Sequence, residues 1–288
     1  MKIGIIGAGK VGSALAIGLA REKFSIEGIF SRSNNPVDIL GKKIGLSFNN
    51  SLEEVVRKAD TVFITVPDDV LEEMSLSICE HTATEFIKGK VFLHCSGACT
   101  SGVLAAISEK GGFTGSLHPM QTFADRLEGW RGLYNIYYGF EGSFEAQRAA
   151  EIIVKAFNGQ LLLIDSEAKP LYHAAACVLS NYMVTLSYIA DGLLRAAGID
   201  TNTGVRALAP LAAKTVKNIE LLGPEGALTG PISRGDSGVI AQHLDAMGKR
   251  CPEFIDVYRT LGKTALEIAL KNGSISEEDE RRLRELLT

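Results

Sequence analysis

The sequence contains few cysteines, and no two of them form a Cys-x-x-Cys pair. The five thiols lie at positions 79, 95, 99, 177 and 251. An odd, scattered set of this kind suits neither a disulfide framework nor a zinc site, whose ligands have characteristic short spacings. We therefore expect reduced thiols, no metal site and a cytoplasmic protein.

A surplus of positive charge is also missing, because 30 lysines and arginines face 34 aspartates and glutamates and leave a net charge of -4 at pH 7. Binding to a phosphate backbone needs a concentrated basic surface, so we expect no nucleic-acid partner. No apolar run reaches the roughly 18 residues of a membrane span. The apolar start, MKIGIIGAGKVGSALAIGLA, is interrupted by glycines and precedes no Ala-x-Ala-like cleavage site. We therefore expect neither a membrane span nor a signal peptide.

The composition that is present, 46% hydrophobic and 22% charged over 288 residues, is typical of a soluble globular protein with two domains. Up to about Asp165, short apolar runs alternate with amphipathic helical stretches, as in βαβ units. Beyond it only helical periodicity remains. The sequence thus predicts a Rossmann-like α/β domain with a doubly wound, mostly parallel sheet over 1–165, and an all-α domain over 166–288.

The individual elements follow from the same patterns. A Ser-x-x-Glu capping box at Ser51 and Glu54 predicts a helix over 51–59, and a longer helix is predicted over 68–86. Strands are predicted over 2–7, 25–30, 61–66, 90–95, 113–119, 136–141 and 160–165. The helices of the second domain are predicted over 167–197, 202–222, 236–248, 252–271 and 276–287.

The clearest binding motif is Gly7-Ala8-Gly9-Lys10-Val11-Gly12, which follows the first strand and opens a helix. In that context G-x-G-x-x-G indicates dinucleotide binding. The first glycine permits a tight turn, the second lets the backbone approach the pyrophosphate, and the third lets helix and strand pack closely. The helix N-terminus offers free N–H groups to an anion.

The second strand ends in Ser31-Arg32-Ser33, where NAD-selective sites carry an acidic residue for the ribose hydroxyls. Arg32 can instead form charge-assisted bonds to a 2'-phosphate, with the two hydroxyls beside it. We therefore predict NADP(H) as the cofactor.

Three further strand ends carry residues that a plain scaffold does not need. Val66 and Pro67, followed by Asp68, end the third strand and are predicted to lie near a ribose, although they also make an ordinary turn. Ser96 and Gly97 follow the fourth strand and are candidates to contact the nicotinamide amide or a substrate oxygen, through side chain and backbone. His118, in the next strand, could polarise a substrate carbonyl, or it could be a buried, hydrogen-bonded core residue.

The long helix begins near Lys169 and places His173, Cys177, Ser180 and Asn181 on one face. Reduction of a ketone or imine needs a proton donor, and a histidine can serve near neutral pH. We predict His173 as that acid, Lys169 as the competing donor, and Asn181 with Ser180 as ligands of a substrate carboxylate or carbonyl.

The loop Leu228–Asp236, LTGPISRGD, is predicted to join two helices. A helix that begins after Gly235, capped by Asp236 or Ser237, would make an anion pocket together with Arg234. We predict that Arg234 binds a substrate carboxylate. An interhelical turn explains the Gly and Pro equally well, and His243 in the next helix is predicted to be structural.

Several segments, GAGKVGSALA, HCSGA, SLHPMQTF, YHAAACVLSNY and GPISRGD, make the sequence resemble a bacterial family with an N-terminal Rossmann-like domain and a C-terminal helical domain of unassigned function. The resemblance spans nearly the whole chain. It implies the fold of the 6-phosphogluconate-dehydrogenase-like superfamily, which includes ketopantoate reductases, pyrroline-5-carboxylate reductases and β-hydroxyacid dehydrogenases. It also implies a homodimer through the helical domain and, as for some members, reduction of 2-dehydropantoate with NADPH.

The sequence departs from two of these related families, and the assignment of the catalytic residues therefore stays open. β-Hydroxyacid dehydrogenases place a catalytic lysine one turn before an asparagine, whereas Lys169 is followed at that spacing by His173 and only later by Asn181. Pyrroline-5-carboxylate reductases have a Ser/Gly/Thr-rich loop where this chain has PISRGDSG, and the His-Pro-Met triplet is shared with prephenate dehydrogenases, whose second half differs.

The leading hypothesis is an NADPH-dependent reductase of a small 2-oxo or imino acid, with 2-dehydropantoate as the first candidate substrate. An oxidoreductase like pyrroline-5-carboxylate reductase or prephenate dehydrogenase is the alternative of the same class. A non-catalytic NADP-binding regulator is the alternative from another class. The polar helix face favours an enzyme, since a sensor has no evident use for His173 near Asn181.

Overall fold

A computed structural model describes residues 1–48 and 51–288. Within them the first part of the chain folds around one seven-stranded sheet of order β2-β1-β3-β4-β5-β6-β7. Every neighbouring pair is parallel except β5 and β6, which are antiparallel. The strands are β1 Lys2–Ile6, β2 Ser25–Phe30, β3 Thr61–Ile64, β4 Val91–His94, β5 Phe113–Pro119, β6 Tyr137–Gly142 and β7 Gln160–Leu163. The predicted, mostly parallel α/β fold is confirmed.

The helices that cover this sheet are α1 Lys10–Arg21, α2 Asn34–Ile44, α3 Leu52–Lys58, α4 Leu71–His81, α5 Thr84–Ile87, α6 Ala105–Glu109 and α7 Phe144–Ala156. They form because the central strands are buried on both faces: in β1 every residue after Lys2 is buried, and in β3 all four are. Apolar side chains on each face need a covering layer. The two resulting core clusters contain Ile3, Ile5 and Leu15 on one side and Ile6, Val62 and Phe92 on the other.

Local signals placed α3 correctly but not α4. Ser51 caps α3, with its hydroxyl accepting from the Glu54 amide at 3.3 Å while the Glu54 carboxylate accepts from the Ser51 amide at 3.1 Å. The predicted helix over 68–86 is instead a 3-10 turn, α4 and the separate α5. It breaks at Thr82, whose backbone is extended (φ -130°, ψ 128°) and whose side chain is buried. Threonine is β-branched and has a low helix propensity, so it adopts the extended backbone at little cost.

The remaining helices are α8 Lys169–Ala196, α9 Thr201–Gly226, α10 Ser237–Arg250, α11 Ile255–Lys271 and α12 Glu277–Leu287. Apart from α8, which starts in the sheet-containing part, they form a second unit, with Ile240, Leu266, Leu283 and Leu287 at its core. Helix α9 keeps regular geometry up to Leu222, because Gly223 has a positive φ of 72° and Pro224 follows it. The all-helical prediction for this part of the chain is confirmed.

The chain divides into compact units at Met1–Ser180 and Asn181–Thr288, not at the boundary of 165 and 166 expected from the pattern change. The reason is that the first turns of α8 pack against the sheet, through the contacts of Lys169 and Tyr172 described below. Among the described residues, α8 is also the one helix long and apolar enough to cross a membrane, a test that core helices of soluble proteins pass as well.

Candidate active site

A pocket of about 230 Å³, open to solvent, surrounds the glycine motif at the carboxyl ends of β1, β2 and β3. Its lining residues are Ile6, Gly7, Ala8, Gly9, Phe30, Ser31, Arg32, Pro36, Thr65, Val66, Pro67, Val70, Met74 and Arg126. The structure thus brings together most of the residues predicted for the cofactor.

The three glycines differ in what surrounds them. Gly7 has a φ of +105°, which a side chain rarely adopts. A Cβ at Gly12 would overlap the carbonyl oxygen of Gly7, whereas a Cβ at Gly9 would meet no atom within 4 Å. Gly9 precedes α1 as its N-cap, and no side chain caps that end. The pocket therefore offers free helix N–H groups and an open approach to them, which fits a pyrophosphate.

Two arginines reach this pocket. Arg32 lies there with Ser31, as predicted, while Ser33 forms the N-cap of α2 and does not line the pocket. Arg126 comes from the loop after β5 and was missed, because no spacing in the sequence links it to the glycine motif. Two guanidinium groups in one pocket suit a ligand that carries several phosphate groups.

A second cluster lies at the carboxyl ends of β4 and β5, around Gly97. A Cβ on Gly97 would lie 2.5 Å from Nδ1 of His173 and 3.0 Å from Nε2 of His118. The two imidazole centroids are 6.0 Å apart at an interplanar angle of 78°. His118 and His173, predicted from separate segments, therefore meet over a glycine whose missing side chain makes room for them.

His173 has one engaged and one unengaged nitrogen. Its Nε2 lies 3.5 Å from Sγ of Cys177, one turn along α8, so these two residues share a helix face as predicted. Its Nδ1 is buried and, among the described residues, has no hydrogen-bond partner. A buried ring nitrogen without a partner is costly unless a ligand supplies one.

Lys169 is fully buried, with 0% of its side chain exposed. Its ammonium donates to Oγ of Ser116, and that hydroxyl donates to the carbonyl of Ser96 at 3.0 Å. In the part of the chain that the structure describes, no carboxylate lies within 4.0 Å of it. Burial lowers the pKa of Lys169, an effect that the more distant Glu141 opposes. The lysine therefore lies behind the site, and its nitrogen is not open to solvent.

The loop after β4 is held by its own hydrogen bonds. The Ser96 hydroxyl donates to Asp68 at 2.7 Å and accepts from the amides of Ala98 and Cys99 at 3.1 and 2.9 Å. His94 accepts from the Ser96 amide at 3.2 Å and contacts the Thr100 carbonyl at 3.1 Å. The Ser96 hydroxyl, predicted to contact the cofactor, thus already has hydrogen-bond partners within the protein. Gly97 remains a candidate to contact a ligand.

The buried His94 and the half-buried His118 both have a depressed pKa. Burial, and then the charge of Lys169, lowers the pKa of His94 to about 4. Burial, followed by the charges of His173 and Lys169, lowers the pKa of His118 to about 4. Both rings are therefore neutral at pH 7, and His118 acts there as a hydrogen-bonding group rather than a cation.

This depression predicts acid lability. Both rings stay neutral in the folded protein down to about pH 4, whereas in the unfolded chain they bind protons below about pH 6.5. The unfolded state then holds more protons, so stability is present above pH 6.5 and is lost as the pH falls toward 4. Between pH 7 and pH 5 we expect a loss of about 2 kcal/mol per histidine.

Urea unfolding at both pH values measures this loss. His118→Gln should remove about half of the pH-dependent loss, whereas substitution of the exposed His81 should leave it unchanged. Equal unfolding free energies at pH 7 and pH 5 in the unaltered protein would contradict the neutral state of both rings.

The other predicted substrate ligands lie elsewhere along the chain. Ser180 is half-buried at the end of the first unit, and Asn181, the next residue on α8, is exposed and belongs to the second. Arg234 is exposed in a 3-10 turn of that second unit. Asp236 caps α10 by accepting from the Val239 amide at 3.1 Å, as expected. The roles of Ser180, Asn181 and Arg234 remain predictions.

Comparison with known proteins gives a matching picture. Residues 1–119 match the profile of a Rossmann-like domain, and residues 136–265 match that of a domain of unknown function, DUF2520. A protein of Bacteroides fragilis described as an NADP oxidoreductase, BF3122, has a similar structure, with a TM-score of 0.73 and 24% identity over 92% of this chain and 98% of its own. A comparison with curated proteins finds no match.

Two further solved structures are similar. Protein TM1727 from Thermotoga maritima has a TM-score of 0.71 at 24% identity, covering 94% of this chain and 99% of its own. A reductive aminase from Aspergillus terreus, solved with NADPH and ethyl levulinate, has a TM-score of 0.67 at 14% identity, covering 99% and 98%. These likenesses extend over nearly the whole chain. The chain therefore resembles a Rossmann-like domain in its first part and DUF2520 in its second, and it shares the fold of these solved proteins.

Proposed function

We propose that the protein is an NADP(H)-dependent oxidoreductase that reduces a small 2-oxo carboxylic acid, with 2-dehydropantoate as the first candidate. The observation that carries this proposal is the meeting of His118 and His173 over Gly97, in the same unit as the glycine-motif pocket. The solved proteins of similar fold include an NADP oxidoreductase and a reductase bound to NADPH, which supports the cofactor.

Residues of the first unit can hold the whole cofactor. Backbone amides at Gly9 and the start of α1 suit the pyrophosphate, and Arg32 suits a 2'-phosphate. The nicotinamide would then extend along the carboxyl edge toward Gly97, since dinucleotides cross that edge of the sheet. When bound, the reduced cofactor supplies a hydride.

The polarity of the cluster favours an oxo acid over a cationic imine. The charge of the buried Lys169 contributes to the lowered pKa of His118, and the carboxylate of Asp68 opposes that effect. A protonated imine would be repelled by a buried ammonium, whereas a carboxylate and a carbonyl oxygen would be attracted. These charges favour a 2-oxo acid over an uncharged ester such as the ethyl levulinate bound to the reductive aminase.

Within this site we assign His173 as the proton donor. Its Nδ1 faces the space beside Gly97, whereas the Lys169 nitrogen is buried against Ser116. His118 would bind the substrate oxygen, and Lys169 would stabilise negative charge from behind. Ser180 is the candidate carboxylate ligand of the same unit, and the substrate-binding roles of Asn181 and Arg234 remain predictions.

A panel of substrates tests this proposal. Oxidation of NADPH is followed at fixed protein concentration with 2-dehydropantoate, other branched 2-oxo acids, cyclic imines and ketone–amine mixtures. Turnover should be fastest with a 2-oxo acid. Fastest turnover with a cyclic imine would instead support an activity like that of pyrroline-5-carboxylate reductase. Binding of NADPH without turnover of any compound would support a non-catalytic regulator.

Arg126 gives a prediction for cofactor binding. One charge-assisted hydrogen bond to a phosphate group contributes about 1.5 kcal/mol at a partly exposed site. The variant Arg126→Gln should therefore bind NADPH about tenfold more weakly in a calorimetric titration. Arg148→Gln, an exposed arginine of α7, is the matched control and should bind as the unaltered protein does. Equal affinity in both variants would exclude Arg126 from the cofactor site.

We also propose that the protein is a homodimer through its helical part and resides in the cytoplasm, where its five free thiols and NADPH are compatible. The support is an uncovered apolar surface on α8, where Leu171 is 77% exposed, Leu179 63% and Val184 71%. No charged residue occurs from 170 to 190. Exposed apolar side chains along a helix of a soluble protein mark an interface, and a second copy of α8 offers the same apolar surface.

Light scattering after size-exclusion chromatography tests the dimer. The double variant Leu179→Glu, Val184→Glu should be a monomer, because it buries two charges in the proposed interface. Leu76→Glu, at another exposed leucine, is the control and should remain a dimer. A monomeric unaltered protein, or one that sediments with membranes, would contradict the proposal.

A further inference from the structure

Tyr172 is a residue that the sequence did not single out, yet it contacts His118 directly. Its hydroxyl lies 2.8 Å from Nδ1 of His118, and the rings meet edge to face, with centroids 5.6 Å apart at 89°. It reaches this position because Gly139 lies opposite His118 in the β5–β6 ladder. A Cβ on Gly139 would overlap the Tyr172 hydroxyl. The missing side chain on β6 thus makes room for this phenol.

The direction of the hydrogen bond follows from the available partners. The backbone amide of Gly139 lies near the phenol oxygen and opposes the rise in the pKa of Tyr172 that burial causes. Across residues 1–48 and 51–288, the acceptor within reach of the phenol proton is Nδ1 of His118. The arrangement that satisfies both residues is therefore O–H···Nδ1.

Neither group is ionised near neutral pH. Burial raises the pKa of Tyr172 to about 12 and lowers that of His118 to about 4. A neutral imidazole carries one N–H, and when Nδ1 accepts a hydrogen bond that proton is on Nε2.

We propose that Tyr172 is a positioning residue that fixes His118 in the tautomer with its proton on Nε2, so that the site presents an N–H donor beside Gly97. This inference deepens the proposed function and rests on it for the nature of the ligand. Nε2 lies on the side of His118 that faces Gly97, where Nδ1 of His173 also lies. A fixed donor there selects a ligand with an acceptor atom, a carbonyl or carboxylate oxygen. It disfavours a protonated imine nitrogen, which would bring a second donor.

Nitrogen-15 NMR of the full-length protein labelled at histidine tests the tautomer without cofactor or substrate. The chain has only five histidines, and a His118→Gln sample identifies the two signals of His118. At pH 7 we expect Nδ1 to have the chemical shift of an unprotonated ring nitrogen and Nε2 that of a protonated one. The opposite assignment, or two averaged signals, in the unaltered protein would overturn the proposal.

The variant Tyr172→Phe then tests the cause. Its His118 signals should move toward each other as the two tautomers mix, and unchanged signals would show that Tyr172 does not set the tautomer. Tyr258→Phe is the matched control, because Tyr258 lies 2.8 Å from Nδ1 of His243, with centroids 6.0 Å apart at 85°. It should change the His243 signals only.

Steady-state kinetics separate this inference from the proposed function. If the protein reduces 2-oxo acids, Tyr172→Phe should raise KM for the acid about tenfold with a smaller change in kcat, as expected for the loss of a binding interaction. A fixed Nε2–H tautomer in a protein without turnover would retain the inference and refute the function. Turnover of a 2-oxo acid by a protein whose His118 tautomers are mixed would retain the function and refute the inference.

Discussion

The variant His173→Ala should reduce a 2-oxo acid about 10²- to 10⁴-fold more slowly than the unaltered protein, the range that one general acid contributes. The loss should fall on kcat, because the proton is needed only as negative charge develops on the substrate oxygen. The affinity for NADPH, measured by calorimetry, should not change, since His173 does not line the glycine-motif pocket. Imidazole added to the assay should restore part of the rate by entering the space that the alanine leaves.

His81→Ala is the matched control for this measurement. His81 is exposed and is the last residue of α4, where its Nδ1 lies 2.9 Å from the Ser77 carbonyl. A crossover helix runs back toward the amino ends of the strands, so this histidine lies at the edge opposite the site. Its removal should leave kcat unchanged. A His173→Ala protein with kcat within twofold of the unaltered one would remove His173 from the role of proton donor and leave Lys169 as the candidate.

The variant Gly12→Ala should unfold more easily by about 3 kcal/mol or more, the upper range for an overpacked core position. The added Cβ would overlap the Gly7 carbonyl and the hydroxyl of Thr65. Neither can move freely, because Thr65 donates to that same carbonyl at 2.7 Å and its amide donates to Ile6 at 2.8 Å. Urea unfolding followed by circular dichroism measures the change, and NADPH binding should be lost with it.

Gly9→Ala separates packing from cofactor binding. Gly9 has a φ of -73°, which alanine adopts without strain, and its Cβ would meet no atom of the protein within 4 Å. Its stability should therefore change by no more than about 0.5 kcal/mol. NADPH should bind at least about tenfold more weakly, because the methyl group would project into the approach to the pyrophosphate. Unchanged NADPH affinity in Gly9→Ala would contradict the placement of the cofactor.

Local signals in the sequence were sufficient for most of the fold. Apolar runs such as those of β1 and β3 predict strands because both faces of a central strand are buried. The helix caps at Ser51 and Asp236 are hydrogen bonds to residues three positions along the chain. The break at Thr82 was not predictable, since it depends on the burial of that side chain against the folded sheet.

The candidate site was predicted in part for the same reason. His118 and His173 were identified by residue type and strand or helix position, but their meeting depends on Gly97, which lies in neither segment. Arg126 reaches the glycine-motif pocket, and Tyr172 reaches His118, through tertiary packing. No spacing in the sequence links either residue to a motif. The extension of the first unit to Ser180 likewise follows from the burial of Lys169.

Transfer of a deuterium label tests whether NADPH passes its hydride to a 2-oxo acid. The protein is mixed with NADPH that carries deuterium at the transferable position of its nicotinamide ring, together with 2-dehydropantoate, and the product is analysed by mass spectrometry. We expect one deuterium on the new carbinol carbon of the 2-hydroxy acid. His173→Ala should transfer no label on the same timescale. Bound NADPH that passes no deuterium to any 2-oxo acid would contradict the proposed function.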